Sequence, residues 1–381
     1  MEKQDAKQDA LSWKTNWRIP NGNAAGLKVI SGDNPEIRFT PAPHGARPLW
    51  FCFQIKPPPG ATPESGKLRL VLEHYDTLPG AVDPSECCPV FRPAGQWWMR
   101  LSGGRPETTP DGRTAAAWMV NRPTAPMDVA LGFPYVDSDL RQLLDRSRGF
   151  WQSDPIGISS GGRPLIRLAN EYNAGARFPS GLYLVARLRG NDMPAAWVLD
   201  GILQRLASAK NNPFLIWAVP LADPDAVAAG AWHSPPDMAN DWADTPARHE
   251  TTVLRSDITR WHNACRAVLA INLQAAPLRE KSGIYCELPD AQQHPEKHAQ
   301  ALKWANVMQH KLGQEFAAPE FVRVAAPGKQ CFLSWTAIAL NEICALTLRV
   351  PWVGTGAVGF SPKKYREAGR YIADALIEKR R

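Results

Sequence analysis

No run of about 18 consecutive apolar residues occurs in this 381-residue chain, so no bilayer-spanning helix is expected. The opening Met1-Glu2-Lys3-Gln4-Asp5-Ala6-Lys7 is polar and lacks the apolar stretch of a secretory signal. Cysteines number seven, an odd count at irregular spacings, with Cys87 and Cys88 adjacent and no paired C-x-x-C units. That argues against a disulfide framework or a zinc ribbon, and the expected setting is a reducing cytoplasm. The glycine-rich Ser159-Ser160-Gly161-Gly162-Arg163 lacks the Gly-Lys-Ser/Thr ending of a phosphate loop and reads as a turn. No G-x-S-x-G element surrounds Ser334 or Cys331, and neither has an evident His partner for nucleophilic catalysis.

What is present is the balance of an ordinary globular protein, 44% hydrophobic and 21% charged, with length for two domains. The net charge is +7, but Lys and Arg are scattered apart from Lys363-Lys364-Tyr365-Arg366 and Lys379-Arg380-Arg381. A nucleic-acid binder concentrates such charge on one patch, so neither nucleic acid nor membrane is an expected partner. Trp97-Trp98 stand out among fifteen tryptophans. Neighbours in a strand point to opposite faces, so at most one enters the core easily, and the other is expected to pack at an interface.

Up to about residue 130 the chain reads as short strands broken by Pro and Gly, among them 49–55 and 67–73. Lys56-Pro57-Pro58-Pro59-Gly60 cannot continue a central strand, because proline has no amide donor. The pattern predicts a β-sandwich over residues 1–135. Residues 136–381 alternate differently. Strands are predicted at 182–186, 214–219, 268–273 and 345–350, and helices at 138–144, 194–206, 257–266, 295–312 and 362–379. Strands alternating with helices indicate an α/β sheet covered by helices, with sites gathering where strands end.

Several stretches, in order, carry a family resemblance. Residues 186–201 read A-R-L-R-G-N-D-M-P-A-A-W-V-L-D-G. This is similar to the A-R-x-H-P-G-E-T-P-x-S-W-x-x-E-G pattern of zinc carboxypeptidases, with Ala186, Arg187, Pro194, Trp197 and Gly201 in place. Leu131-Gly132-Phe133-Pro134-Tyr135 followed by Ser138-Asp139-Leu140 resembles the junction motif of the cytosolic-carboxypeptidase branch, which sets a β-sandwich before the peptidase domain. Gly157-Ile158-Ser159-Ser160-Gly161-Gly162-Arg163, Val219-Pro220-Leu221-Ala222-Asp223-Pro224-Asp225-Ala226, Gly230-Ala231-Trp232-His233, Asp237-Met238-Ala239-Asn240-Asp241-Trp242, Ala270-Ile271-Asn272-Leu273-Gln274 and Ala345-Leu346-Thr347-Leu348-Arg349 resemble further family blocks. The resemblance implies a carboxypeptidase-like mixed sheet flanked by helices.

It also implies that the working residues are replaced. The zinc-ligand positions hold Arg189, Asp192 and Gln274, and the general-base position holds Arg349. The substrate-carboxylate positions hold His233, Ala239 and Asn240. Arg189 has no lone pair for a metal, Gln274 offers only a neutral amide oxygen, and Arg349 stays protonated near neutral pH. No zinc, no other cofactor and no peptidase catalysis are expected. The resemblance thus predicts a pseudo-peptidase. Arg189 and Arg349 are expected to bring excess positive charge into the old cleft, with Asp192 pairing Arg189. An anionic small molecule or a peptide C-terminus is the expected ligand. A hydrolase with altered metal ligands and a structural interaction module are the alternatives. His294 and His298 lie four apart, but Glu296 is misplaced for a zinc motif and surface histidines are the better reading.

Overall fold

The computed structural model describes residues 12–41, 50–61, 66–75, 83–109, 111–171, 180–210, 212–231, 235–325, 330–340, 343–355 and 358–380. The chain falls into two compact units, Met1–Pro134 with Ala228–Trp232, and Tyr135–Val227 with His233–Arg381.

The first unit contains two five-stranded sheets. One runs in the order β1 (Lys14–Asn16), β4 (Cys52–Lys56), β10 (Met127–Ala130), β6 (Val90–Pro93) and β7 (Met99–Arg100). The other runs β2 (Ala25–Ile30), β3 (Glu36–Thr40), β5 (Lys67–Leu72), β9 (Thr114–Asn121) and β8 (Arg105–Thr108). Every pairing is antiparallel except β3 with β5. The sheets meet through buried aromatics: Phe39 of β3 lies 4.9 Å from the Phe51 ring and 4.7 Å from Phe53 of β4. Offset and edge contacts of this kind add to the gain from removing the rings from water. This is the β-sandwich expected from the sequence, and β4 ends where Pro57 begins the proline run. Trp97 and Trp98 precede β7 rather than lying in a strand. Trp97 is 89% exposed, and Arg92 lies over the Trp98 ring at 4.7 Å, so neither indole joins the core.

The second unit is an eight-stranded mixed sheet. Its order is β11 (Gln152–Ile158), β12 (Pro164–Ala169), β14 (Phe214–Val219), β13 (Ser180–Ala186), β15 (Arg266–Ala275), β18 (Cys344–Val350), β16 (Ile284–Leu288) and β17 (Ala317–Val324). The four central strands β14, β13, β15 and β18 are parallel. Residues 182–186 are wholly buried, which is why β13 is an unbroken apolar run rather than an alternating one. The helices are α1 (Asp137–Arg146), α2 (Met193–Ala207), α3 (Pro224–Ala229), α4 (His249–Ala264), α5 (Pro295–Phe316), α6 (Phe332–Ala339) and α7 (Pro362–Arg380). A Cβ at Gly201 of α2 would come within 2.2 Å of the Arg366 carbonyl, and one at Gly369 of α7 within 2.1 Å of the Val198 carbonyl. The two helices cross backbone to backbone at these glycines, which explains why the motif keeps Gly201.

One predicted helix needs correcting. The helix expected at 257–266 begins eight residues earlier, at His249, and Arg266 opens β15 instead. The β-branched Thr251-Thr252-Val253 disguise the helix start in sequence. In the fold, Asp241 accepts from the amides of Ala247 and Arg248 and from the Thr251 hydroxyl, while Leu254, Ile258 and Trp261 share one buried face.

Candidate functional site

Three parallel strands deliver the site residues at their C-terminal ends. Gln274 and Arg349 are direct partners across β15 and β18. Beyond β13 the chain turns through Arg187, whose φ of 61° lies in the left-handed region that non-glycine residues avoid. Its fully buried guanidinium donates to the Tyr135 carbonyl at 2.7 Å and to the Gly190 carbonyl. Burial pulls its pKa down to about 10, against the pull of nearby carboxylates. The loop then closes on Asp192, immediately before α2.

Asp192 is buried and serves the backbone. One carboxylate oxygen accepts from the Arg189 amide at 3.0 Å, the other from the Ala275 amide at 2.8 Å, tying the loop to the end of β15. Burial pushes its carboxyl above the usual range, outweighing Arg189, the Ala275 amide and Arg349, which pull it down. The expected Arg189–Asp192 ion pair is therefore not formed by side chains. The Arg189 guanidinium instead engages Asp237, with Nε 2.9 Å from each carboxylate oxygen and Nη2 on Oδ2 as well. The fork of a guanidinium matches a carboxylate in this way. Burial alone would lower the Arg189 pKa, but Asp237 outweighs it and raises it. Asp237 also caps the short 3-10 turn Met238–Asn240, accepting from the Ala239 amide at 3.1 Å and from Asn240 Nδ2 at 2.9 Å.

Arg349 is held similarly. Its Nη2 lies 2.9 Å from Glu287 on β16, and its Nη1 donates to Gln274 Oε1 and, at 3.5 Å, to the Ala275 carbonyl. Its Nε is buried without a hydrogen-bond partner. The predicted residues Arg189, Asp192, Gln274, Arg349, Ala239 and Asn240 thus gather in one network, while His233 lies outside the described residues. Two members were not predicted, Asp237 and Glu287. The signal for Asp237 was its place at the head of an Asp-x-x-Asn turn, a capping position. Glu287 carried none, because its strand was not anticipated.

The charge balance is also corrected. Arg189 and Arg349 meet Asp192, Asp237 and Glu287, so the two cations sit among three carboxylates rather than forming an excess of positive charge. The donor set does not fit a zinc ion. Zinc takes lone pairs from His, Cys or carboxylate ligands. Here a guanidinium has none, Gln274 Oε1 is engaged by Arg349, and both Asp192 oxygens accept backbone amides. Among the described residues no group of three or more His, Cys, Asp or Glu side chains is placed to hold a metal.

The other sequence candidates have local roles. Ser159 Oγ and the Gly161 amide bind Asp225, at 2.8 and 2.7 Å, so this loop is a turn as expected. Ser334 Oγ accepts from the Cys331 amide at 3.0 Å at the start of α6. His294 precedes α5 as its N-cap residue, and His298 Nδ1 lies 2.8 Å from the Pro289 carbonyl.

No family model matches the chain, and no curated protein matches it. Solved structures do. A metallo-carboxypeptidase from Burkholderia cenocepacia superposes with a TM-score of 0.76 at 14% identity, covering 96% of this chain and 98% of its own. A metallo-carboxypeptidase from Pseudomonas aeruginosa, in complex with (2-guanidinoethylmercapto)succinic acid, gives a TM-score of 0.77 at 15% identity, with the same coverage. The likeness covers nearly the whole of each chain and at this identity speaks for the fold.

Proposed function

We propose, for a chain with the metallo-carboxypeptidase fold, that the ancestral zinc cleft has become a metal-free ion-pair network and that the protein is a pseudo-peptidase. The observation that carries this reading is the Arg189 guanidinium on Asp237, at the position where the resemblance calls for a zinc-binding histidine. The general-base position holds the guanidinium of Arg349, and the zinc positions hold a guanidinium, an amide engaged by Arg349 and a carboxylate engaged by two backbone amides, not the base and ligand set that hydrolysis of this type needs. The protein then acts by binding. A peptide C-terminus or small carboxylate reaches Arg189 or Arg349 only by displacing Asp237 or Glu287, so such binding is expected to be weak. All seven cysteines are free thiols, in keeping with a reducing, cytoplasmic setting.

Metal analysis of the purified protein is expected to find far less than one zinc per chain, and a panel of peptides is expected to show no release of C-terminal residues. One tightly held zinc per chain, lost on Asp192→Ala, would overturn the proposal in favour of a hydrolase with altered ligands. The combined Arg189→His, Asp192→Glu, Gln274→His and Arg349→Glu variant asks whether the scaffold still accepts zinc, read as metal content rather than as activity.

A further inference from the structure

We propose that the second unit carries an oligophosphate-binding site at the C-terminal ends of α1 and α2, apart from the cleft. The fifteen residues of α2 set this site about 20 Å from the Asp192 loop. A concavity of about 740 Å3 opens there, lined by Arg146, Arg148, Arg205 and Arg370 together with Phe150 and Gln204. Its volume suits a small molecule rather than an extended chain. No carboxylate is among its lining residues.

Two of the four arginines are explained by the fold. Arg146 and Arg205 stand in the last turns of their helices, where the helix dipole favours cations. Each also has a carboxylate, Asp200 at 3.6 Å from Arg146 and Asp374 at 2.7 Å from Arg205. Arg148 and Arg370 are different. Both are exposed, and neither pairs with a carboxylate among the described residues. Asp200 has little left to offer them, because its oxygens already serve Tyr135, Gln204, Arg146 and Arg366. Arg148 and Arg370 thus add two cations to the hollow with no carboxylate partner among the described residues, beside the paired Arg146 and Arg205, and a ligand with several negative charges offsets them. Guanidinium forks match phosphate oxygens two at a time, so the class that fits is a small molecule with linked phosphates. Phe150, half-buried and edge-on to Trp151 at 4.8 Å, adds one aromatic wall.

Titration calorimetry of the full chain with inorganic tripolyphosphate at about 50 mM salt tests this, since screening is still modest there. The expected result is one site per chain, weakening as salt rises, and at least about tenfold weaker in the Arg148→Ala/Arg370→Ala variant. Both side chains are exposed and have no carboxylate partner among the described residues, so that variant is expected to keep the wild-type circular dichroism and melting temperature. Absence of binding by the wild type overturns the proposal, as does equal affinity in the double variant. Equal affinity for orthophosphate overturns it too, as does tighter binding of an oligoglutamate peptide. Adenosine triphosphate distinguishes the two sources of the chemistry. Tighter binding than tripolyphosphate, lost in Phe150→Ala, supports the site as one for a nucleotide, and equal binding supports it as one for a free oligophosphate.

Discussion

Glu250→Ala is expected to destabilise the second unit by about 3–5 kcal/mol, the usual cost of removing one partner from a buried ion pair. Glu250 is fully buried, accepts from Arg248 Nε at 2.9 Å and from the Ser160 amide at 2.7 Å, and belongs to a network that includes Asp223 and Asp241. Its loss takes one carboxylate from the buried Arg248 guanidinium, which keeps Asp223 at 3.3 Å and the Pro236 carbonyl at 3.5 Å, and leaves the Ser160 amide without its acceptor. Scanning calorimetry checks the prediction, with a drop in the melting temperature of about 6–20 °C for a unit of this size. The pH dependence follows in sign. Burial pushes the Glu250 carboxyl up, but the Arg248 guanidinium and the Ser160 amide outweigh it, leaving a pKa of about 2 against an ordinary 4.5. A depressed carboxylate contributes stability that is complete above the ordinary value and disappears as pH falls from about 4.5 towards 2. Glu250→Gln is expected to remove this part of the acid dependence. An acid-unfolding slope unchanged in that variant would sink the assignment.

Asp192→Ala is the second large effect, expected at about 2–4 kcal/mol, because two backbone amides lose their acceptor inside the fold. Asn at this position keeps one acceptor oxygen, and about half the loss is expected. The acid behaviour separates this carboxylate from Glu250. Burial raises the Asp192 pKa, so the folded state holds its proton to higher pH than the unfolded chain. Its contribution is greatest below the ordinary 3.8 and declines as pH rises through the folded value, opposite in sign to Glu250. Denaturant midpoints of wild type and Asp192→Asn measured from about pH 3 to 7 read this difference directly. Parallel curves would count against a raised pKa at Asp192.

The sheet was legible wherever burial on both faces leaves an unbroken apolar run, as at Leu182–Ala186 and Phe214–Val219. It was illegible at β17, where Pro319 argues against a strand. The proline is tolerated because β17 is the edge strand of its sheet. The same difference runs through the site. Sequence marks the positions at which the resemblance calls for other residues, since Arg189, Gln274 and Arg349 each stand inside an otherwise matching block. It does not mark the compensating partners. Asp237 and Glu287 lie 48 and 62 residues from the arginines they hold, and only the fold brings them together. Misjudging those partners is what made the cleft look positively charged.

The left-handed turn at Arg187 bears on how this loop is maintained. In many metal sites the ion supplies part of the folding free energy, and stability then follows metal concentration. Residues 187–192 are fastened otherwise: Arg187 to the Tyr135 and Gly190 carbonyls, the Asp223 amide to the Arg187 carbonyl at 2.8 Å, and Asp192 to two amides. Every fastening is made by the chain itself. The loop's shape thus depends on partners 52 and 83 residues away, Tyr135 and Ala275, so it is complete only once β15 and the segment before α1 are in place.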